Sequence, residues 1–213
     1  VMYFGFEEIT IAFRTKTVLQ HVTLDIPRGK IVTIIGQNGC GKSSLLKTVS
    51  KAVTPSAGRV LYEGLPLDAY APKVLARHIA YLALVHTSPP DIDVRTLVSY
   101  GRYPYMKMGR ELSAEDGRII DETLRLTGLE HLQRRTLRTL SGGERQRAWI
   151  AMTVCQQPEI LILDEPTTYL DISYQMEVLE LVRRLNREMG MTIVMVLHDL
   201  NMAARYSDYL YVI

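Results

Sequence analysis

Apolar residues along the chain form short runs typical of β-strands. The segments 9–13 and 22–26 alternate apolar with polar residues, which is the pattern of half-buried strands. The segments 31–35, 160–163 and 192–197 are instead almost continuously apolar, as expected for strands that are buried on both faces. These continuous runs predict the strands of a parallel sheet that is covered by helices.

Helix signals lie between the predicted strands. A helix is expected over about residues 43–51, directly after the first buried strand, and another short strand over 59–62. Ser113 and Asp116 match a capping box that opens a helix, and Asp171 is predicted to cap a further helix. Strands that alternate with helices predict an α/β fold with a mostly parallel sheet.

The region between the first and second of these buried runs is mostly helical in its second half, from about residue 89 to 157. We therefore expect one domain over residues 1–213, in which an α/β core of residues 1–86 and 158–213 carries a helical insertion at 87–157. The chain stops inside an apolar run, so we also expect that a C-terminal piece is missing from this sequence.

Composition narrows the possible partners and the compartment. The net charge of +2 is close to neutral, which argues against a nucleic-acid-binding protein. Cys40 and Cys155 have no metal-ligand spacing and indicate a reducing compartment. Because no apolar run approaches the ~18 residues needed to span a bilayer, we expect a soluble cytoplasmic chain that reaches a membrane only through a partner.

Residues 36–43 match the phosphate-loop pattern G-x-x-x-x-G-K-S, between a buried strand and a helix. In such a loop, backbone N–H groups surround the phosphates and the helix N-terminus adds positive potential. Lys42 should reach the β- and γ-phosphates, and Ser43 should ligate Mg²⁺. The predicted nucleotide-binding residues of this loop are Gly36, Asn38, Gly39, Cys40, Gly41, Lys42, Ser43 and Ser44.

Two acidic residues follow the second buried strand. Asp164 is predicted at the carboxyl end of a strand, where an open α/β sheet binds its ligands, and could hold Mg²⁺. The adjacent Glu165 could act as the general base that polarises the attacking water. An Asp-Glu pair alone could be an ordinary turn, but the phosphate loop makes the catalytic interpretation the better one.

Residues 141–144 form a second glycine-containing segment, Ser-Gly-Gly-Glu. The segment fits a capping box that opens a helix, and its two glycines leave the helix N-terminus open to an anion. Since the phosphate loop already surrounds one nucleotide, the segment is predicted to serve a nucleotide that is held elsewhere.

The order of the phosphate loop, Leu140 to Glu144, Leu163 to Pro166 and a later His198 resembles the ATPase subunit of ATP-binding-cassette transporters. The resemblance covers essentially the whole chain. It implies a P-loop NTPase core with an N-terminal antiparallel β subdomain and an inserted helical subdomain, and it implies ATP and Mg²⁺ as ligands. It also implies a location at the cytoplasmic side of the cell membrane, beside transmembrane permease subunits and, indirectly, an extracytoplasmic substrate-binding protein.

In the family, two subunits pack head to tail, so the resemblance implies a homodimer. Ser141, Gly142 and Gly143 would then close over the ATP that the phosphate loop of the other subunit binds. Asp171 matches the loop through which the two subunits communicate, although it could be only a helix cap.

Two further positions match the family individually. Phe13 lies where these subunits place an aromatic ring against adenine, although a single Phe is more often part of a core. His198 matches the switch histidine that contacts the γ-phosphate, although a lone histidine is usually structural.

One position departs from the family pattern. The segment 77–84 matches Arg-x-Ile-Ala-Tyr-Leu-x-Gln except that Leu84 occupies the glutamine position. Leu can neither ligate a metal nor orient water, and His86 lies nearby. We expect nucleotide binding to survive, with weakened hydrolysis or weakened coupling to transport; a functional variant, a weak natural enzyme and an introduced change remain alternatives.

Three stretches narrow the subfamily. Residues 98–105, 167–171 and 198–201 resemble ATPases of bacterial iron–siderophore importers, a group shared with heme and vitamin B12 uptake. One alternative is a cassette ATPase that acts on DNA or the ribosome, which the near-neutral charge disfavours. The other is a nucleotide-binding module that does not hydrolyse ATP, which Leu84 motivates.

Overall fold

Two β-sheets and a group of helices make up the structure, a computed structural model that describes residues 2–14, 16–84, 91–106 and 111–213. The strands are β1 (Phe4–Phe13), β2 (Lys16–Ile26), β3 (Ile31–Ile35), β4 (Ala57–Tyr62), β5 (Leu65–Pro66), β6 (Ile79–Leu82), β7 (Ile160–Leu163), β8 (Thr192–Val196) and β9 (Tyr209–Val212). The helices are α1 (Lys42–Val49), α2 (Pro72–His78), α3 (Val94–Ser99), α4 (Ala114–Leu126), α5 (Gly142–Cys155), α6 (Ile172–Met189) and α7 (Leu200–Tyr206).

The parallel sheet has the strand order β6-β7-β8-β3-β9, and every neighbouring pair is parallel. Each residue of β3, β7 and β8 is buried, so the prediction of strands buried on both faces is confirmed. Successive side chains of β7 point to opposite faces: Ile160 and Ile162 join one core, and Leu161 and Leu163 join the other.

The antiparallel sheet has the order β2-β1-β4-β5 and is formed by the N-terminal half of the chain. In its register, Phe4 lies opposite both Ile26 and Tyr62. Phe4 and Phe6 are fully buried in a core that also contains Leu45 of α1 and one face of the parallel sheet. The predicted α/β class, with an N-terminal antiparallel sheet, is therefore confirmed.

Helices α3 to α6 cover the other face of the parallel sheet, and α3 to α5 lie between β6 and β7 in the chain. The capping box predicted at Ser113 and Asp116 is present at the start of α4. Gly190 ends α6 in a left-handed conformation, with φ 67°. Helix α1 ends at Val49, two residues before its predicted end. Within the described residues, no helix is both long and apolar enough to cross a membrane.

The prediction that Asp171 precedes a helix ending at about Met189 is confirmed, but the Asp171 side chain does not cap that helix. Asp171 occupies the N-cap position, but its carboxylate accepts no capping hydrogen bond from the described part of the chain. The first turn is instead stabilised by Gln175, whose backbone N–H donates to the Asp171 carbonyl and whose side-chain amide donates to the Leu170 carbonyl. The Asp171 side chain is therefore left at the exposed surface.

Residues 100–105 form a short 3₁₀-helix, and its buried Arg102 side chain bridges two of the helices. Arg102 is 3% exposed, and its Nε donates to Asp116 Oδ1 of α4 at 2.8 Å. Its Nη1 donates to the carbonyl of Cys155 at the end of α5 at 2.9 Å. The ring of Tyr105 lies 3.9 Å from the guanidinium carbon. Arg102 thus joins α4 to the C-terminus of α5, where a cation is also favoured by the helix dipole.

Candidate active site

The phosphate loop connects β3 to α1 and borders a cavity of about 460 Å³. Gly41 stands at the N-cap of α1 with φ 104°, a left-handed conformation that glycine adopts without strain. A Cβ at this position would lie 2.7 Å from Cγ of Leu19. Both the backbone angle and the close neighbour therefore require glycine where the loop enters the helix.

Side chains from separate parts of the chain meet around this cavity. Phosphate-loop residues form one side, the residues after β7 and β8 form another, and the end of β1 and the start of β2 contribute apolar side chains. The cavity is lined by Phe13, Val18, Asn38, Gly39, Gly41, Lys42, Ser43, Ser44, Glu165 and His198.

Phe13 lies at the end of β1, on the rim of the cavity. Its side chain is 49% exposed, so the alternative interpretation of a core phenylalanine is wrong. Val18 of β2 lines the same cavity. The two side chains give the cavity an apolar wall suited to a flat ring.

Lys42 is held against its own loop. The side chain is 4% exposed, and Nζ donates to the carbonyl oxygens of Gly36 at 3.0 Å and Gln37 at 2.8 Å. Cys40 Sγ lies 3.7 Å from the same ammonium. The loop thus surrounds the Lys42 ammonium group, which places a positive charge at the wall of the cavity.

Asp164 directly follows β7 and is 2% exposed. Its Oδ1 accepts a 2.8 Å hydrogen bond from Oγ of Ser43, and its Oδ2 accepts one of 3.3 Å from the hydroxyl of Tyr81. Burial raises the pKa of Asp164 above the usual aspartate value, and these two hydrogen bonds oppose that rise. The predicted metal-binding pair, Ser43 and Asp164, is therefore brought together.

The side chains of Glu165 and His198 lie within hydrogen-bond distance of each other beside the cavity. His198 Nε2 lies 2.8 Å from Glu165 Oε2, which also accepts a 2.9 Å hydrogen bond from Oγ1 of Thr168. Glu165 has a φ of 53°, in the left-handed region that non-glycine residues seldom adopt. This conformation turns the chain out of β7 and places the carboxylate at the cavity edge.

The Ser-Gly-Gly segment lies apart from this cavity. The box predicted at α5 is present: Ser141 N–H donates to Glu144 Oε2 at 2.8 Å, and Glu144 N–H donates to Ser141 Oγ at 3.2 Å. Ser141, Gly142, Gly143 and Asp171 are absent from the described residues that line the cavity. One copy of the chain therefore presents this helix N-terminus and the phosphate loop as two separate surfaces.

The surface beside the Ser-Gly-Gly segment is apolar and exposed. A Cβ on Gly143 would lie 2.4 Å from Cδ1 of Tyr174, so this glycine packs directly on α6. Close to this contact, Tyr169 is 91% exposed and Ile172 is also highly exposed. Exposed apolar side chains beside a helix N-terminus are typical of a surface that another molecule covers.

Leu84 lies two residues beyond β6 and is not among the described residues that line the cavity. The aliphatic side chain has no polar group to offer a metal or a water. His86, the neighbour considered as a replacement, lies outside the described residues.

Sequence reasoning missed two side chains that contact the acidic pair. Tyr81 is the one polar residue in the strand Ile79–Leu82, and that exception to an apolar run was the available signal. Thr168 follows Glu165 by three residues, a spacing at which a hydroxyl can reach back to a carboxylate. Neither signal is specific without the fold.

The residues around the cavity have the chemistry that a nucleoside triphosphate and Mg²⁺ require. A buried ammonium, glycine-lined backbone and an apolar wall fit a nucleoside triphosphate. Ser43 and Asp164 supply two oxygen ligands, and Mg²⁺ in nucleotide sites commonly takes few protein ligands beside phosphate oxygens and water. The residues present therefore fit both ATP and Mg²⁺.

Comparisons with known proteins agree with this geometry. The family model for ABC transporters matches residues 19–168. The chain is 47% identical over 204 residues to the ferric enterobactin transport ATP-binding protein FepC of Escherichia coli (strain K12), covering 96% of this chain and 75% of FepC. It is 45% identical over 204 residues to the iron(3+)-hydroxamate import ATP-binding protein FhuC of Bacillus subtilis (strain 168), covering 96% of this chain and 76% of FhuC.

Solved structures show the same fold. The structure of cbiO1 from Clostridium perfringens, part of the ABC transporter complex cbiONQ, matches with a TM-score of 0.84 and 29% identity, over 99% of this chain and 84% of cbiO1. The dimeric structure of the bacterial ABC transporter cassette MJ0796 matches with a TM-score of 0.83 and 25% identity, over 99% of this chain and 94% of MJ0796. The chain therefore belongs to the ATP-binding-cassette transporter family and is one of its ATPase subunits.

Proposed function

We propose that this chain hydrolyses ATP to power the import of ferric siderophores through a membrane permease. The observation that carries the chemistry is the single cavity that brings Glu165 and His198 to the phosphate loop. The cargo is supported by the names of the relatives, which transport ferric enterobactin and import iron(3+)-hydroxamate. A heme or vitamin B12 importer is the neighbouring alternative.

The phosphate loop and Phe13 bind the nucleotide. Lys42 leaves its loop carbonyls for the β- and γ-phosphates, and the backbone N–H groups of the loop and of α1 take the remaining phosphate oxygens. The ring of Phe13 stacks on the base. Ser43 and Asp164 would hold Mg²⁺, which when bound would neutralise charge that develops on the phosphates.

Glu165 and His198 act on the water and the γ-phosphate. Glu165 orients the attacking water and accepts its proton, because this carboxylate reaches the cavity from the end of β7. His198 holds the Glu165 carboxylate through Nε2 at 2.8 Å, and from the same position it contacts the γ-phosphate. Thr168 donates a hydrogen bond from Oγ1 to the same Glu165 oxygen and so helps to hold the carboxylate in place.

The complete site forms between two copies of the chain packed head to tail. Ser141, Gly142 and Gly143 of one copy close over the nucleotide bound to the phosphate loop of the other, and Asp171 lies at the same interface. The separation of these residues from the cavity in one copy, and the exposed Tyr169 and Ile172 beside them, support this arrangement.

Closure of the dimer moves the helical insertion of residues 87–157, which carries the motion to the permease. The contact surface is predicted over residues 84–105, part of which lies outside the described residues. The ATPase would then sit on the cytoplasmic side of the cell membrane, and the extracytoplasmic binding protein would act on it only through the permease.

The test is ATP hydrolysis by the purified chain and by its Glu165→Gln variant. The variant should bind ATP normally, form a stable dimer with Mg²⁺ and ATP, and hydrolyse at least 100-fold more slowly. Hydrolysis that survives in the variant would exclude Glu165 as the general base. Siderophore uptake in cells that lack their own siderophore ATPase but keep its permease then tests the cargo.

Leu84 favours a second candidate, a nucleotide-binding module that hydrolyses poorly. Single-turnover hydrolysis by the wild-type dimer separates the two functions. A rate near that of other cassette ATPases rejects the second candidate, whereas a large gain in rate from Leu84→Gln supports it.

A further inference from the structure

Asp164 is held on both carboxylate oxygens, by side chains from two different elements. Ser43, at the start of α1, donates to Oδ1 at 2.8 Å, and Tyr81, on β6, donates to Oδ2 at 3.3 Å. The carboxylate is almost completely buried. With one donor on each oxygen, rotation of the carboxylate about its Cβ–Cγ bond would break a hydrogen bond in a region without competing solvent.

Strand pairing explains why Tyr81 reaches this carboxylate. Tyr81 pairs with Ile162 in the parallel register, and the ring packs against the core that lies beneath α1. Asp164 follows β7 by one residue, and its backbone N–H donates to the carbonyl of Leu82 at 2.9 Å. The end of β6 thus holds Asp164 through its backbone and through the Tyr81 hydroxyl.

Tyr81 has the protonation state that this contact needs. Burial, followed by the negative charge of Asp164, raises the pKa of Tyr81 far above that of a free tyrosine. A tyrosine hydroxyl with its ordinary pKa of about 10 is already protonated at neutral pH, so the Tyr81 hydroxyl can donate to the carboxylate at 3.3 Å.

Within β6 and the two residues that follow it, no side chain other than Tyr81 can make this contact. Residues 79–84 are Ile, Ala, Tyr, Leu, Ala and Leu, so Tyr81 is the one polar side chain that β6 and the two following residues present. The family pattern places a glutamine at the position of Leu84. The polar contact from this side of the site to the acidic pair is therefore the Tyr81 hydroxyl.

We infer that Tyr81 is a positioning residue that acts through Asp164, fixing the carboxylate in the orientation that binds Mg²⁺ beside Ser43. The inference rests on the proposed function for the identity of the metal site. It extends that function by assigning a role to a side chain outside the phosphate loop and the acidic pair.

The test is the Mg²⁺ dependence of nucleotide binding in Tyr81→Phe, which removes the hydroxyl and keeps the ring. The probe is a fluorescent ATP analogue, titrated first with excess EDTA and then with increasing Mg²⁺. The Mg²⁺ concentration for half-maximal enhancement of binding should rise roughly five- to tenfold, while the affinity measured in EDTA stays at the wild-type value. In steady-state hydrolysis, most of the loss should fall on KM for Mg²⁺ rather than on kcat.

Two further variants separate the hydroxyl from packing. Tyr81→Met removes the ring as well, so it should lower Tm further than Tyr81→Phe but shift the Mg²⁺ dependence by the same factor. Tyr70→Phe removes a hydroxyl that donates to the carbonyl of Tyr62, and it should leave the Mg²⁺ titration unchanged.

An unchanged Mg²⁺ titration in Tyr81→Phe would overturn the inference. So would a shift in Tyr81→Met that is several times larger than in Tyr81→Phe, because packing would then be the cause. These binding readouts need no turnover, so a wild-type chain that binds the nucleotide with Mg²⁺ but fails to hydrolyse it would refute the proposed function and leave the Tyr81 result standing.

Discussion

Helices α4 and α5 both begin with a capping box, but the two boxes lie in different surroundings. At α4, Ser113 and Asp116 exchange hydrogen bonds of 2.9 and 3.1 Å, and at α5 Ser141 and Glu144 exchange bonds of 2.8 and 3.2 Å. Both boxes satisfy backbone N–H groups that a helix N-terminus would otherwise leave unpaired. The caps are nearly interchangeable, so the difference between the two helices must come from their surroundings.

At α4 the box carboxylate has a second partner inside the protein. Asp116 also accepts a hydrogen bond from the buried Arg102, which ties the N-terminus of α4 to the end of α5. At α5 the box encloses Gly142 and Gly143, and Gly142 is exposed. A capping box thus becomes an internal lock, as at α4, or leaves an exposed glycine at the helix N-terminus, as at α5, according to the residues it encloses and the partner its carboxylate finds.

The largest effect should come from breaking the lock at α4. Arg102→Leu removes the buried cation and leaves Asp116 without its ionic partner, which should lower the free energy of unfolding by about 3–5 kcal/mol. Urea denaturation measures this loss. The matched control is Arg95→Leu, whose ion pair with Asp121 is exposed and should contribute less than about 1 kcal/mol. Equal losses in the two variants would contradict the lock.

The next effect concerns the glycines that distinguish α5. In Gly143→Ala, the new Cβ would lie 2.4 Å from Cδ1 of Tyr174, so either the Tyr174 side chain or α5 must move. ATP hydrolysis should fall about 100-fold, equivalent to about 2.7 kcal/mol in the barrier, while ATP still binds to the separate phosphate loop. Steady-state hydrolysis and equilibrium nucleotide binding measure the two effects.

Helix α4 offers the control for this substitution. Gly117 lies in α4, and a Cβ there would meet no described atom within 4 Å. Gly117→Ala should therefore stabilise the protein by roughly 0.5–1 kcal/mol and leave hydrolysis unchanged. If Gly143→Ala hydrolysed ATP as fast as Gly117→Ala, the packing of Gly143 on Tyr174 would have no part in the site.

The caps themselves should show smaller and nearly equal effects on stability. Ser113→Ala and Ser141→Ala should each lower the free energy of unfolding by about 1 kcal/mol, because each removes one N-cap hydrogen bond. Only Ser141→Ala should also slow ATP hydrolysis, by roughly tenfold. Thermal denaturation and hydrolysis of both variants check this, and a similar slowing in Ser113→Ala would show that the effect is on folding.

Features of the fold were predictable from the sequence where the interacting residues lie close together in the chain. Residues 31–35 and 160–163 were recognisable as buried strands because continuous apolar runs depend only on neighbours in the chain. Both capping boxes were recognisable because their partners lie three residues apart. The phosphate loop was recognisable because its chemistry is carried by one continuous segment.

Contacts between residues that are far apart in the chain could not be predicted from sequence patterns. Arg102 lies 14 residues from Asp116 and 53 from Cys155, and Tyr81 lies 83 from Asp164. Asp171 misled the prediction in the opposite sense, because its side chain is acidic and correctly placed for a cap but makes no capping bond to the described residues. The parallel strands β6 and β7 bring Tyr81 to Asp164, helix packing brings Arg102 to its partners, and no local pattern records either pairing.

The smallest effect should be the response of the two boxes to acid. Hydrogen bonds from Ser113, aided by Arg102, lower the pKa of Asp116, and hydrogen bonds from Ser141 lower that of Glu144. A carboxylate whose pKa is lowered by folding stabilises the protein above its unfolded-state pKa of about 4, and this contribution is lost as the pH falls through the folded-state pKa. Asp116→Asn and Glu144→Gln should therefore each lose less stability than the wild type between about pH 6 and pH 3. Urea midpoints measured across that range check the slopes. Asp116→Asn should flatten the curve more, because Arg102 donates a hydrogen bond to Asp116 and also acts through its charge, whereas Arg135 and Arg147 act on Glu144 through charge alone. Equal flattening would show that the buried cation does not distinguish the two helices.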